Sequence, residues 1–120
     1  MKWLIICYDM VFADVAKSLA KKGAEVLFSP SRIVRRGLQP WHLYVQTRAL
    51  ENRIPILAAN IENRRFGGKS IVVDLYEKDE IMIPKIKSML KGQSFAISAF
   101  NLKKYKKSRN IRYLDAQKFS

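Results

Sequence analysis

Four apolar residues, Trp3-Leu4-Ile5-Ile6, run straight into Cys7, the one cysteine of this 120-residue chain, and Tyr8-Asp9 follow. An unbroken apolar run predicts a strand buried on both faces. A strand that bends directly into a helix leaves its last residue at the carboxyl edge of the sheet. There it meets free backbone N–H groups and the positive end of a helix dipole. Such surroundings favour the thiolate, the nucleophilic form of cysteine. Taken alone, a single cysteine serves more often as a small buried hydrophobe. Its neighbours therefore decide the matter. Ser29-Pro30-Ser31 closes a second apolar stretch and Asn60 closes a third. A thiol, hydroxyls and a carboxamide are expected together at one sheet edge, where open α/β sheets bind ligands.

Other chemistry is sparse. His42 is the only histidine and starts a predicted helix. It is the candidate for a Cys–His pair, although a lone histidine at a helix start usually serves as a surface or capping residue. Asp9 and Asp14 follow Cys7 closely but head into the next helix. No HxxxH, CxxC or carboxylate cluster suggests a metal, and Phe66-Gly67-Gly68-Lys69-Ser70 lacks the spacing of a phosphate-binding loop. No cofactor is expected.

The elements that must position these residues follow from periodicity. Val11 to Lys22 reads as an amphipathic helix, with Val11, Phe12, Val15, Ala16, Leu19 and Ala20 on one face. Lysines in its last turn and Gly23 beyond predict its end. Glu25-Val26-Leu27-Phe28 reads as a second strand, Arg32 to Pro40 as a basic loop, and Trp41 to Asn52 as a helix. That helix has Trp41, Tyr44, Val45, Arg48 and Ala49 on a related face. Ile56-Leu57-Ala58-Ala59 is a third strand. Two strand–helix–strand units predict parallel pairing and right-handed crossovers, with Cys7 beside Ser29. Ile61 to Gly68 is a turn-rich loop. Ser70 to Leu75 and Glu80 to Ile83 form a hairpin. Lys85 to Gln93 fits either helix or loop, Ser94 to Phe100 alternates as a last strand, and Leu102 to Lys107 makes a short basic helix or turn. The tail to Ser120 is expected to pack on another surface.

Length bounds the chain to one domain over residues 1–120. No run reaches the ~20 apolar residues of a membrane helix. One cysteine and no cleavable leader pattern predict a reducing, cytoplasmic setting. The formal net charge is +13, enough to attract polyanions or an acidic protein surface. The basic residues lie in scattered clusters and the aromatics are dispersed, so nucleic acid is not the expected partner.

The runs Ile5-Ile6-Cys7-Tyr8-Asp9, Phe12-Ala13-Asp14 and Gly23 to Pro30 resemble the core of the carbon-nitrogen hydrolases, the nitrilase superfamily. So do Trp41, Arg48-Ala49-Leu50-Glu51-Asn52, Ile54-Pro55, Ala58-Ala59-Asn60 and Phe66 to Ser70. Asn110-Ile111-Arg112-Tyr113 resembles the family's C-terminal motif more loosely. The resemblance implies an α/β fold that is half of an αββα sandwich: a sheet of parallel βαβ units plus a C-terminal hairpin. It implies Cys7 as nucleophile on an amide or nitrile carbon, through a thioester intermediate. It places the backbone N–H of Tyr8 in the oxyanion hole, puts Ser29, Ser31 and Asn60 in the substrate pocket, and makes Glu51 structural. The family's glutamate base and oxyanion lysine lie well upstream of the cysteine, and six residues precede Cys7 here. The resemblance therefore implies a C-terminal half, inactive alone, that pairs with a copy of itself or with a polypeptide carrying the other half. The competing readings are a non-enzymatic scaffold relative and a basic nucleic-acid-binding module.

Overall fold

The computed structural model describes residues 4–89 and 98–118. A four-stranded sheet runs in the order β1-β2-β3-β4, with β1 Leu27–Ser31, β2 Ile56–Asn60, β3 Ile71–Lys78 and β4 Ile81–Ser88. β1 and β2 are parallel, and the other pairs are antiparallel. Leu4 adds a single parallel bridge to Phe28 on the far side of β1. The fold is thus α/β, with helices α1 Ala13–Lys21, α2 Leu38–Asn52 and α3 Leu102–Gln117.

One face of the sheet is covered and the other is open. Ile5, Leu27, Ile56, Ala58, Ile71 and Val73 are buried with Met10, Ala16, Ala20, Trp41, Val45 and Ala49 from the preceding turn and the two helices. The alternate residues of the same strands face outward, so Leu4, Ile6 and Phe28 are exposed. The first apolar run is therefore covered on one side only, against the expectation of double burial. Helices pack on one face, and among the described residues no second layer meets the other.

Several boundaries move. A turn of 3-10 helix occupies Cys7–Val11, Phe12 is extended, and α1 begins at Ala13 rather than Val11. β1 takes in Ser29-Pro30-Ser31, beyond the expected strand end at Phe28. Proline fits because Leu27 N–H points to β2, donating to Pro55 O. Pro30, three residues on, turns its missing N–H toward the other side, where among the described residues only Leu4 bridges to β1. α2 starts three residues before Trp41, with Pro40 in its first turn, where no intrahelical N–H is required. The hairpin is longer than expected. It closes through Asp79 and Glu80, both at positive φ (51° and 68°), the conformation of a two-residue type I′ turn.

The predicted strand Ser94–Phe100 falls mostly outside the described residues, and Ser98 to Phe100 are irregular. The C-terminal tail is not a loose segment. It continues α3 to Gln117, capped by Asn101 Oδ1 accepting from Lys104 N. α3 docks on its own chain: Tyr105 and Arg109 are buried. Tyr105 Oη accepts from Leu75 N at 3.0 Å, Arg109 Nη1 donates to Arg53 O at 3.1 Å, and Arg112 Nε donates to Glu51 O at 3.0 Å. Cations over the last carbonyls of α2 satisfy groups that a helix end leaves unpaired. Burial, and then the nearby Arg112, lower the pKa of Arg53. Among the described residues no helix is long and apolar enough to cross a membrane.

Candidate active site

Cys7 sits where the chain leaves the sheet. Ile5 N donates to Phe28 O at 3.0 Å, which fixes the strand side. Two residues later the backbone turns sharply, with Cys7 at φ +43°, a left-handed conformation that costs a non-glycine residue of order 1–3 kcal/mol. Cys7 is half-buried. Asp9 N closes the turn on Ile6 O at 2.9 Å, and Phe12 N follows on Asp9 O at 3.1 Å. The first two amides of such a turn, those of Cys7 and Tyr8, have no acceptor within it. The Tyr8 ring is exposed and meets Phe12 edge to face at 5.2 Å.

The turn is held from below. Met10 is fully buried beneath it. Arg48, also buried, donates from Nε to Met10 O at 3.0 Å and from Nη2 to Val11 O at 2.9 Å, while its Nη1 meets Glu51 Oε1 at 3.0 Å. Tyr44 stacks beside the same guanidinium, 5.7 Å from ring centroid to Cζ. The sequence showed Arg48 as a cation on the apolar face of α2 and as part of the Arg48-to-Asn52 run, with no role attached. A charge on such a face is rare unless paired, and that was the signal to follow. Glu51 serves as the partner of Arg48, the structural place expected of it.

The strand ends do meet at one edge. Leu4 pairs with Phe28 and Ser31 pairs with Asn60, so the register carries Cys7 level with Ser31 rather than Ser29. The side chains of these residues take different directions. Ser29 and Ser31 lie on the covered side of β1 with Leu27, and their hydroxyls are 3.4 Å apart. Asn60 Oδ1 accepts from Ile33 N at 2.6 Å, and its Nδ2 donates to Ile33 O at 3.1 Å and Gly68 O at 2.9 Å. Its carboxamide ties two loops together. His42 donates from Nε2 to Lys69 O at 2.9 Å, so its imidazole is engaged with the loop before β3.

On the open sheet face lies a shallow depression of about 670 Å³, lined by Leu4, Phe28, Leu57, Ala59, Val72 and Met89 among others. Its lining is mostly apolar, with Asn60, Glu62 and Ser70 among the polar residues, the composition usual for small-molecule sites. Beyond it, Arg35 donates to Asn63 O and Arg64 O, and Arg32 and Arg65 both approach the Phe66 ring. The two basic loops are thereby locked to each other. Among the described residues no group of three His, Cys, Asp or Glu side chains converges on a metal position.

A family model for the carbon-nitrogen hydrolases matches residues 4–78. The deaminated glutathione amidase of Mus musculus is 38% identical over 77 residues, covering 59% of this chain and 24% of the amidase. A carbon-nitrogen hydrolase structure from Helicobacter pylori superimposes with a TM-score of 0.62 at 21% identity, over 90% of this chain and 42% of that one. A mutant of the amidase from Nesterenkonia sp. AN1 superimposes at 0.55 and 25% identity, over 72% of this chain and 36% of that one. That structure shows covalent addition of the acetamide moiety of fluoroacetamide at the active-site cysteine. The chain spans about a quarter of the length of the curated relatives it matches.

Proposed function

This chain belongs to the carbon-nitrogen hydrolase family, and from that premise we propose that it carries the nucleophile side of an amidase- or nitrilase-type active site, with Cys7 as the attacking thiol. The observation that supports this reading best is the left-handed backbone at Cys7, held between the Ile5–Phe28 hydrogen bond and the following turn. Strained strand-to-turn junctions are how nucleophile elbows present a side chain above a sheet. The cysteine adduct of the Nesterenkonia amidase is consistent with that role.

In this reaction the thiolate sulfur attacks the amide carbon. The C–S bond forms as the carbonyl π pair moves onto oxygen, which faces the N–H of Tyr8. A donor of this kind is typically worth about 2.7–4 kcal/mol. Collapse breaks the C–N bond, the amine leaves with a proton, and a thioester remains. Water then cleaves the thioester and returns the thiol. Moving those protons takes an acid–base group, and removing one typically costs about 10²–10⁴ in rate. We assign the glutamate and lysine that the family resemblance implies to polypeptide outside residues 1–120. The same polypeptide, or a second copy of this chain, covers the apolar sheet face that Leu4, Ile6 and Phe28 expose. Exposed apolar faces of this kind mark interfaces, and a net charge of +13 favours an acidic covering surface.

The substrate class is a small amide or nitrile, and the residues lining the open face, Asn60 among them, border its place. Ser29 and Ser31, buried on the covered side of β1, support the strand end beside Cys7 and do not face that place. The test is direct. The purified chain alone is expected to show no amidase turnover above background, while iodoacetamide labels Cys7 faster than an ordinary thiol. A robust amidase rate abolished by Cys7→Ala overturns the dependence on outside groups. Labelling no faster than an ordinary thiol overturns the nucleophile role.

A further inference from the structure

We propose that Arg48 is the positioning residue of the Cys7 turn, acting through two carbonyls and never touching substrate. The inference rests on the reading of Cys7 as nucleophile. A turn that starts at φ +43° relaxes to an ordinary conformation unless its surroundings hold it. Here the holding contacts can be named. Arg48 reaches the turn from α2, 38 residues away in sequence, and binds Met10 O and Val11 O with two different nitrogens. These carbonyls lie at the far end of the Cys7–Val11 turn, so fixing both sets its pitch and rotation. Met10, fully buried, pins the same end from the side-chain direction.

The geometry of the guanidinium explains why arginine stands here. Its rigid fork offers several donors at fixed angles, whereas an ammonium is a single point charge. Arg48 uses Nε and Nη2 for the turn and keeps Nη1 for Glu51. Lysine can neutralise Glu51 or bond one carbonyl, but it cannot hold the pair in register. At only 6% exposed, Arg48 also has little water to fall back on.

What the clamp controls is the relation between the sulfur of Cys7 and the N–H of Tyr8. Both belong to the start of the turn, and attack on a carbonyl needs them aimed at the two ends of one C=O bond. Alkylation by iodoacetamide needs only the sulfur. Acyl transfer from p-nitrophenyl acetate needs both. In that transfer the C–S bond forms at the acetyl carbon, the bond to the phenolic oxygen breaks, p-nitrophenolate leaves with the electron pair, and the thiol proton passes to buffer. Cys7 is the sole cysteine, so the part of either rate that Cys7→Ala abolishes reports on this residue alone.

The experiment compares the full chain with Arg48→Lys and, as a gentler variant, Glu51→Gln, measuring both rates beside thermal stability. In Arg48→Lys, acylation is expected to fall about tenfold, a fraction of the 10²–10³ that loss of an oxyanion donor costs. Alkylation should stay within about twofold, and Glu51→Gln should fall between the variant and the parent. Equal loss of both rates, or no loss in either, overturns the positioning role, because a merely structural arginine moves the two together. Should Arg48→Lys fail to fold, a Glu51→Gln chain with unchanged acylation overturns it equally. Failure of the nucleophile reading shows separately: the parent chain would then acylate and alkylate in the same ratio as a free cysteine derivative.

Discussion

Arg48 Nε lies 3.0 Å from the carbonyl oxygen of Met10, and the same guanidinium is held by Glu51 at 3.0 Å. A buried cation is thus balanced by one carboxylate and two carbonyls. Glu51→Ala leaves that cation without a counter-charge. Because the Glu51 side chain keeps 38% exposure, water partly compensates. The expected loss is about 1–2 kcal/mol, below the 3–5 typical of breaking a fully buried pair. Urea unfolding of the two chains measures it, and a loss under about 0.5 kcal/mol would place Glu51 among ordinary surface sites.

Asn60 makes three hydrogen bonds to the backbone of two loops. Asn60→Ala should destabilise the chain by about 2–3 kcal/mol, near 1 kcal/mol per bond lost. Asn60→Asp keeps the acceptor for Ile33 N and loses both donors, so it should retain part of that stability. Equilibrium denaturation separates the three chains. If Asn60 served substrate alone, both variants would unfold at the parent's midpoint.

The hairpin turn offers the opposite sign. Glu80 stands at φ +68°, where glycine carries no Cβ penalty. Glu80→Gly should raise stability by about 0.5–1 kcal/mol, the benefit of relieving a left-handed non-glycine residue. A rise in Tm is the readout. A fall would show that the side chain of Glu80 contributes more than its backbone costs.

Tyr113, on α3, has a buried hydroxyl with no hydrogen-bond partner among the described residues. Burial raises its pKa above the usual tyrosine value, against a smaller lowering by Arg109. The folded chain therefore holds the phenolic proton more tightly than the unfolded chain. That contribution to stability is whole below about pH 10, the ordinary tyrosine value, and is lost as pH rises through the folded value. Tyr113→Phe should flatten the decline of Tm above pH 10. At neutral pH it should cost nothing or stabilise slightly, since it deletes an unsatisfied group. Melting curves from pH 8 to 11 test both parts.

Much of this fold could be read from the chain because its signals are local. The apolar runs around Leu27 and Ile56, the lysines and Gly23 ending α1, and the parallel pairing implied by strand–helix–strand order all rest on neighbours in sequence. The meeting of Cys7, Ser31 and Asn60 at one sheet edge was legible for the same reason, because strand order is local, while the directions of the serine and asparagine side chains were not. What escaped depends on distant contacts. The left-handed conformation of Cys7 is imposed partly by Arg48, which no local pattern links to it. Pro30 argued for the end of a strand, yet it lies within β1 because its missing N–H faces a side where the described residues pair only through Leu4. α3 has weak amphipathic character and carries basic residues on every side, so its length reflects docking through Tyr105, Arg109 and Arg112 rather than its own periodicity.

That docking has a consequence for how the molecule comes apart. The terminal carbonyls of α2 are closed by cations that arrive 56 and 61 residues later in the chain. Neither helix can fray at that junction without uncovering the other, so the two should melt as one cooperative unit. Clipping the molecule near its carboxyl terminus would be felt first at Glu51, and through it at the base of the Cys7 turn.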